Sequence, residues 1–228
     1  MLWALASFAL VLSVAAALVT TSVNVLLYDP DYYAEGQVRY AVGRTTEYSP
    51  EALQPVNRAI VRFFGSPGVS LPNALGDAGA DPAVFNPREV GHMEDVRALV
   101  RMIGRIQIAS LALIVVIALG RLLGQGRAGL HWIANRALLG ALLTLGGIGA
   151  LGALAVFDFR SLFLEFHLLS FDNDLWQLDP RRDNLIRFFP FEFWFDATVT
   201  VALRTVFFAV VLAVAAWTVR RWEVRKAT

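Results

Sequence analysis

Four apolar runs divide the chain: Leu2 to Leu27, Ile106 to Leu119 with its flanks, Ala137 to Phe157, and Ala197 to Val219. Each offers roughly the 20 residues that a helix needs to cross a bilayer. The pattern predicts an all-α membrane protein with four transmembrane helices, at residues 1–27, 99–120, 137–157 and 197–219. The first run lacks the basic start of a signal peptide and outruns the usual 7–15-residue apolar core, so it is expected to stay in the membrane as a helix.

The polar stretches between the runs set the expected orientation. Residues 121–136 hold Arg121, Arg127 and Arg136 with no acidic residue, and the tail 220–228 holds Arg220, Arg221, Arg225 and Lys226 against Glu223. Residues 28–97 carry 10 acidic against 6 basic side chains, and 158–196 carry 8 against 4. Basic loops stay in the cytoplasm. The 121–136 loop, the tail and both termini are therefore expected there, with 28–98 and 158–196 facing outward. This describes a multi-pass membrane protein with both acidic segments outside.

The first outward segment is read as extracytoplasmic and partly irregular. It opens on an aromatic cluster, Tyr28-Asp29-Pro30-Asp31-Tyr32-Tyr33, suited to the interface. Gln37 to Val42 suggests a short strand, and prolines and glycines punctuate 65–87 as a loop. Asn86-Pro87-Arg88-Glu89 then predicts a helix start near 87, with Asn86 as N-cap, Pro87 in the first turn and Glu89 closing a capping box. The second segment, 158–196, is dense in Phe and Trp and reads as lying in the membrane interface. Gly140, Gly146, Gly147, Gly149 and Gly152 give the third run a small face for helix packing.

Composition narrows the chemistry. Of the 228 residues, 57% are hydrophobic and 17% charged, and net charge is +1, which offers no electrostatic pull on nucleic acid. There is no cysteine, so disulfides, thiolate metal sites and a cysteine nucleophile are all excluded. Three histidines, His92, His131 and His167, leave few candidates for proton transfer near neutral pH. His131 precedes Trp132 in the basic loop and reads as an interfacial residue.

His92 and Asp95 share one face of the helix beginning near 87, either as a base with its orienting carboxylate or as a surface pair. Arg97, Arg101 and Arg105 form a basic stripe entering the outer leaflet, which either holds substrate oxygens or snorkels to headgroups. Within the second outward segment lie His167, Asp172, Asn173, Asp174, Trp176, Asp179 and Asp183. Polar groups at membrane depth are functional candidates, although Asp and Asn also cap helices and Asp179-Pro180 marks a turn.

These motifs resemble a known family. His92-Met93-Glu94-Asp95-Val96, Phe166-His167, the stretch Phe171-Asp172-Asn173-Asp174-Leu175-Trp176-Gln177-Leu178-Asp179-Pro180, and Asp183-Asn184-Leu185-Ile186 through Phe189-Pro190 are similar to the lipoprotein intramolecular transacylase (Lit) family of bacterial four-helix integral membrane proteins. The resemblance implies an enzyme of a bacterial cell (plasma) membrane, its active site facing outward, that acts on diacylglyceryl-modified lipoproteins within membrane lipid. It would move the sn-2 acyl chain onto the α-amino group of the same cysteine, giving an N-acyl, S-monoacylglyceryl lyso form. No cofactor, no metal and no nucleic acid are implied, and a monomer is expected.

Ester aminolysis needs a base for the attacking amine and a donor for the oxyanion. One of His92 and His167 is expected to act as the base and the other to polarise the carbonyl or protonate the leaving alkoxide. Asp95, Asp172, Asn173 and Asp174 are expected to orient them or to bind amine and oxyanion. Arg101, Arg105, Trp176 and Asp179 are expected to contact substrate. A covalent route through Ser170 has no serine motif behind it.

Three other readings compete. The two histidines with Asp95, Asp172 and Asp174 could build the site of a metal-dependent membrane lipid or ester hydrolase, although neither histidine belongs to a metal-binding pair motif. A non-enzymatic membrane sensor or anchor with an outward binding domain would use the same histidines structurally. A transporter is disfavoured, since Arg204 lies near the outer end of its run and no charge sits at mid-membrane.

Overall fold

The computed structural model describes residues 2–227, with side chains from Trp3 to Trp222. Eight helices follow one another, and no strand occurs among the described residues: α1 Leu2–Leu27, α2 Pro30–Arg39, α3 Val42–Thr45, α4 Pro50–Gly65, α5 Leu71–Asp77, α6 Pro87–Ser170, α7 Asn184–Phe188 and α8 Phe191–Ala227. Three of them, α1, α6 and α8, are long and apolar enough to cross a membrane.

The 84 residues of α6 would reach about 126 Å if straight. They are not straight, because the rings of His92 and His167, near its two ends, lie 6.3 Å apart. The reversal falls at Gly126, whose φ of +52° lies in the left-handed region that glycine adopts without a Cβ penalty. Gly129 completes it, since a Cβ there would collide with the carbonyl oxygen of Arg121. Residues 121–136, expected as a loop, thus keep helical geometry apart from this tight turn.

The chain divides into two compact units. The first gathers residues up to Val23, Ile103–Phe157 and those from Thr200 on. Its apolar side chains largely face outward, as Phe157 at 88% exposure and Leu123 at 86% show. In water that exposure would be costly, whereas hydrocarbon solvates it. A hydrogen bond from Gln107 Nε2 to Thr21 Oγ1 at 2.9 Å ties α1 to α6 within this unit. Of the glycine face, Gly140 alone meets a neighbour, at Val14 and Val11 of α1, while Gly146, Gly147, Gly149 and Gly152 face open space. The packing role expected for that face is confined to one position.

The second unit holds Asn24–Met102 and Asp158–Val199. Its core is built on the fully buried Leu53, Phe63, Leu71, Leu75, Phe188 and Phe193. Two expectations fail here. Gln37 to Val42 is no strand: Asp29 accepts hydrogen bonds from the backbone of Asp31 and Tyr32, Pro30 opens the first turn, and the helix α2 so nucleated runs to Arg39. Gln37 on its buried face forms a reciprocal amide pair with Asn57, at 3.0 and 2.8 Å. Residues 65–87 are not all loop either, because Ser70 caps α5 and drives Leu71, Ala74 and Leu75 into the core. The aromatic segment is likewise partly interior: Phe188, Phe189 and Phe193 are buried, and Phe193 packs at 5.2 Å from Phe189 and 5.7 Å from Tyr32.

Candidate active site

The site grows from the two ends of α6. At its start Asn86 accepts from the backbone N–H groups of Arg88 and Glu89, and Glu89 Oε2 accepts from the backbone of Asn86 at 2.7 Å. The other oxygen of Glu89 accepts from Leu185 N–H at 2.5 Å. Asp183 accepts from Asn86 Nδ2 at 2.8 Å and from its neighbour Asp179 N–H at 2.6 Å. Glu89 and Asp183 are each 1% exposed, so the capping box doubles as the anchor for the 171–185 segment. Burial raises the pKa of the Glu89 carboxyl, and the backbone donors of Leu185 and Asn86 oppose that rise.

In the same turn, Arg88 reaches the backbone carbonyls of Asp174 and Gln177. Gly91 lies directly beneath Leu175, where a Cβ would come within 2.9 Å of Leu175 Cδ1. Asn173 Nδ2 donates to Asp95 Oδ2 at 2.9 Å, while Asn173 Oδ1 accepts from Leu175 N–H at 2.9 Å. The loop is therefore clamped along the first three turns of α6. That clamp brings Phe171 and Trp176 against the histidines.

His92 and His167 are each 8% exposed, with ring planes 30° apart. Phe171 stands edge-on to His92 at 5.2 Å, and Trp176 lies 5.1 Å from His167. Phe163 and Phe166 complete the wall around His167, at 4.4 and 5.3 Å. Both histidines lie outside the apolar spans. Burial pushes His92 down to about 4, aided by the neighbouring His167 and opposed by Asp95. Burial also lowers the pKa of His167, against the hydrogen bond to Phe163. Both rings are therefore neutral at pH 7.

His167 Nδ1 lies 2.7 Å from the carbonyl oxygen of Phe163. A carbonyl only accepts, so Nδ1 carries the proton and Nε2 of the neutral ring holds a free lone pair. His92 Nδ1 is buried without a hydrogen-bond partner.

The expected site residues separate into those the fold gathers and those it does not. His92, His167, Trp176, Asp95 and Asn173 come together, but Asp95 is held by Asn173 and makes no hydrogen bond to His92. Asp174 accepts from Gln177 Nε2 within its own loop, and Asp172 is exposed. Asp179 is occupied by Arg181, which holds its carboxyl down at about 2. Arg101 lies about 14 Å along the helix from His92 and half a turn around it, so the arginine stripe faces another side. There Arg97 donates to Val69 O at 2.6 Å and stacks on Phe63 at 4.1 Å. Among the described residues no three His, Asp or Glu side chains converge as a metal ion requires. Glu89 and Asp183 hold the 171–185 segment to the start of α6, bonds that sequence reasoning did not foresee although it marked both residues. Glu89 was visible as a capping residue, but its bond to Leu185 has no local signature.

The fold and the site define a helical chain with three helices long and apolar enough to cross a membrane and a buried, aromatic-walled histidine pair. The model of the family "Lipoprotein intramolecular transacylase Lit" matches residues 8–194, and the chain belongs to that family. It is accordingly an enzyme, an acyltransferase of lipoprotein modification. The structure is similar to the in meso structure of the membrane integral lipoprotein intramolecular transacylase Lit from Bacillus cereus, with TM-score 0.78 at 19% identity over 98% of this chain and 96% of that one. Two structures of the Bacillus cereus protein with one histidine replaced match as well. The arginine variant has TM-score 0.77 at 18% identity and the alanine variant 0.74 at 19%, each covering 98% of this chain and 94% of that one. No curated protein sequence matches the chain significantly.

Proposed function

We propose that the chain converts an S-diacylglyceryl cysteine into its N-acyl, S-monoacylglyceryl form, with His167 as general base and His92 as the hydrogen-bond donor. The observation that carries this reading is the 2.7 Å contact between His167 Nδ1 and the Phe163 carbonyl, which leaves Nε2 as the acceptor. The α-amine nitrogen attacks the sn-2 ester carbonyl carbon, and His167 Nε2 takes the proton it loses. The oxyanion forms beside the N–H of His92. As the C–O bond to glycerol breaks, the proton on His167 passes to the leaving alkoxide. One ester is replaced by one amide and one hydroxyl, so no co-reactant is needed.

A free α-amine has a pKa of about 7.7–8.0, so a useful fraction is neutral at pH 7 and a modest base suffices. Attacker and ester sit on one molecule, and alignment supplies much of the rate as effective molarity. Phe171 and Trp176 line the path of the acyl chain, and the exposed Asp172 meets the incoming amine. Asp95 and Asn173 hold the loop in place.

The helical reversal at Gly126 supports reading α6 as two crossings, four in all with α1 and α8. The basic residues of 121–136 and of the tail then lie in the cytoplasm, with both termini, and the histidine site opens outward. The enzyme acts as a monomer on substrate held in the lipid phase.

Mass spectrometry of a lipoprotein N-terminal peptide tests this, from a host that otherwise makes only diacylglyceryl lipoproteins. Unchanged acyl mass with one chain moved to the amine, in wild type but not in His167→Ala, supports the assignment. A lost chain means hydrolysis, and an untouched peptide with inserted protein removes the substrate assignment.

A further inference from the structure

At the end of the first unit that carries the reversal, a groove of about 560 Å³ opens between the start of α1 and the second arm of α6. Trp3, Ser7, Phe8, Val11, Trp132 and Arg136 line it. Beside it the guanidinium of Arg121, 6% exposed, is sandwiched between two indoles, 3.8 Å from the Trp3 ring and 4.1 Å from that of Trp132. Arg121 Nη1 donates to Gln125 Oε1 at 2.7 Å, but its Nε is buried without a partner. Arg136, whose guanidinium lies 5.4 Å from the Trp132 ring, also has a buried, unpartnered Nε.

Two desolvated cations normally find carboxylates. Here none is at hand among the described side chains of this unit, which include no Asp or Glu. Neither cation belongs to the histidine site. An anion from outside the chain fits the surroundings: indoles at the rim suit the headgroup layer, and a guanidinium fork suits phosphate oxygens. The volume falls in the range of small-molecule sites.

We propose that this groove binds the phosphodiester headgroup of an anionic phospholipid, held by Arg136, with the charge of Arg121 beside the groove and the glycerol end against Ser7 and Phe8. The bound lipid supplies a counter-charge to the two arginines and ties the start of α1 to the turn of α6.

The test uses the purified full-length protein in detergent, with retained phosphatidylglycerol and phosphatidylcholine counted by native mass spectrometry. Wild type retains phosphatidylglycerol in preference. Arg136→Gln lowers that retention about fivefold, the worth of one basic residue at a lipid surface. Arg127→Gln, an exposed arginine of the same turn outside the groove, changes it less than about twofold. Arg136→Lys keeps the charge and the fold but lacks Nε, and lowers retention about twofold. Turnover on lipoprotein, which Arg136 does not serve, reports that each variant is folded. Equal retention of the two lipids, equal loss at Arg127 and Arg136, or full retention in Arg136→Lys would overturn the site. Inorganic phosphate alone giving the same Arg136-dependent thermal stabilisation would make it a phosphate-ion site and overturn the lipid assignment.

Discussion

His167 donates from Nδ1 to the carbonyl oxygen of Phe163, one helical turn earlier, at 2.7 Å. The bond is local to α6, yet it decides the chemistry of the whole site. With the proton committed to Nδ1, the only basic atom of the ring is Nε2. His92, stacked 6.3 Å away, has an unpartnered Nδ1 and no such constraint. The two rings are therefore unequal, and the proposed roles of base and donor rest on that difference.

Replacing the base removes general base catalysis, which contributes about 10²–10⁴-fold. His167→Ala is expected to lose at least 10²-fold in turnover while inserting normally, and His92→Ala to lose a comparable factor as an oxyanion donor. His131→Ala should keep wild-type turnover, because that residue lies in the other unit. Acyl transfer on a synthetic diacylglyceryl peptide measures all three. A silent His167→Ala would sink the base assignment.

The pH dependence separates amine from base. The α-amine loses its proton near 8, whereas both histidines titrate below their ordinary 6.5. The rate under kcat/KM conditions should climb tenfold per pH unit toward 8 and then level off. That slope of one should continue downward through 6.5 without steepening. A slope of two below 6.5 would mean that a histidine titrates at its ordinary value.

His92 also links pH to stability. Its folded pKa of about 4 is below the unfolded 6.5, so between these values the unfolded chain binds a proton that the folded one does not. The contribution, up to about 3 kcal/mol, is complete above pH 6.5 and is lost as pH falls toward 4. Thermal unfolding in detergent at pH 7 and pH 5 should show wild type losing more Tm than His92→Gln. Equal losses would contradict it.

Asp95 and Asn173 act as one clamp, through the 2.9 Å bond between them. Asp95→Ala and Asn173→Ala should each lower kcat by about tenfold, and the double variant by little more than either alone. Independent, multiplying losses would mean that the two residues serve separate roles.

Glu89 satisfies two backbone donors that would otherwise be stranded in the interior. Glu89→Ala is expected to cost about 2–4 kcal/mol, seen as a lowered Tm and a protease-sensitive 171–185 segment. Glu89→Gln keeps one amide oxygen and should lie between. Wild-type Tm in Glu89→Ala would show that the segment is anchored elsewhere.

Much was legible from local order. The apolar runs mark where α1, α6 and α8 are lipid-compatible, because the length needed to cross hydrocarbon is a property of consecutive residues. Asn86 and Glu89 spell a capping box within four positions, and the motifs around His92 and His167 carry the family resemblance. Local order also misled. Gln37 to Val42 reads locally as a short strand, but the Asp29 cap and the Asn57 partner of Gln37 favour helix. Dense prolines and glycines hid α5, whose Leu71 and Leu75 need a core to bury against.

What the sequence by itself determined is the chemistry available: a cysteine-free membrane chain with three histidines, two of them in recognisable motifs. What only the tertiary structure decided is how those groups are used. The reversal at Gly126 returns His167 to His92, the Glu89–Leu185 bond seats Trp176 against the ring, and Asp95 goes to Asn173 instead of to His92. Caps and apolar periodicity act over a few residues, so a sequence shows them. Which distant residues meet depends on where a long helix folds back, and the protonation of a buried imidazole depends on what then surrounds it.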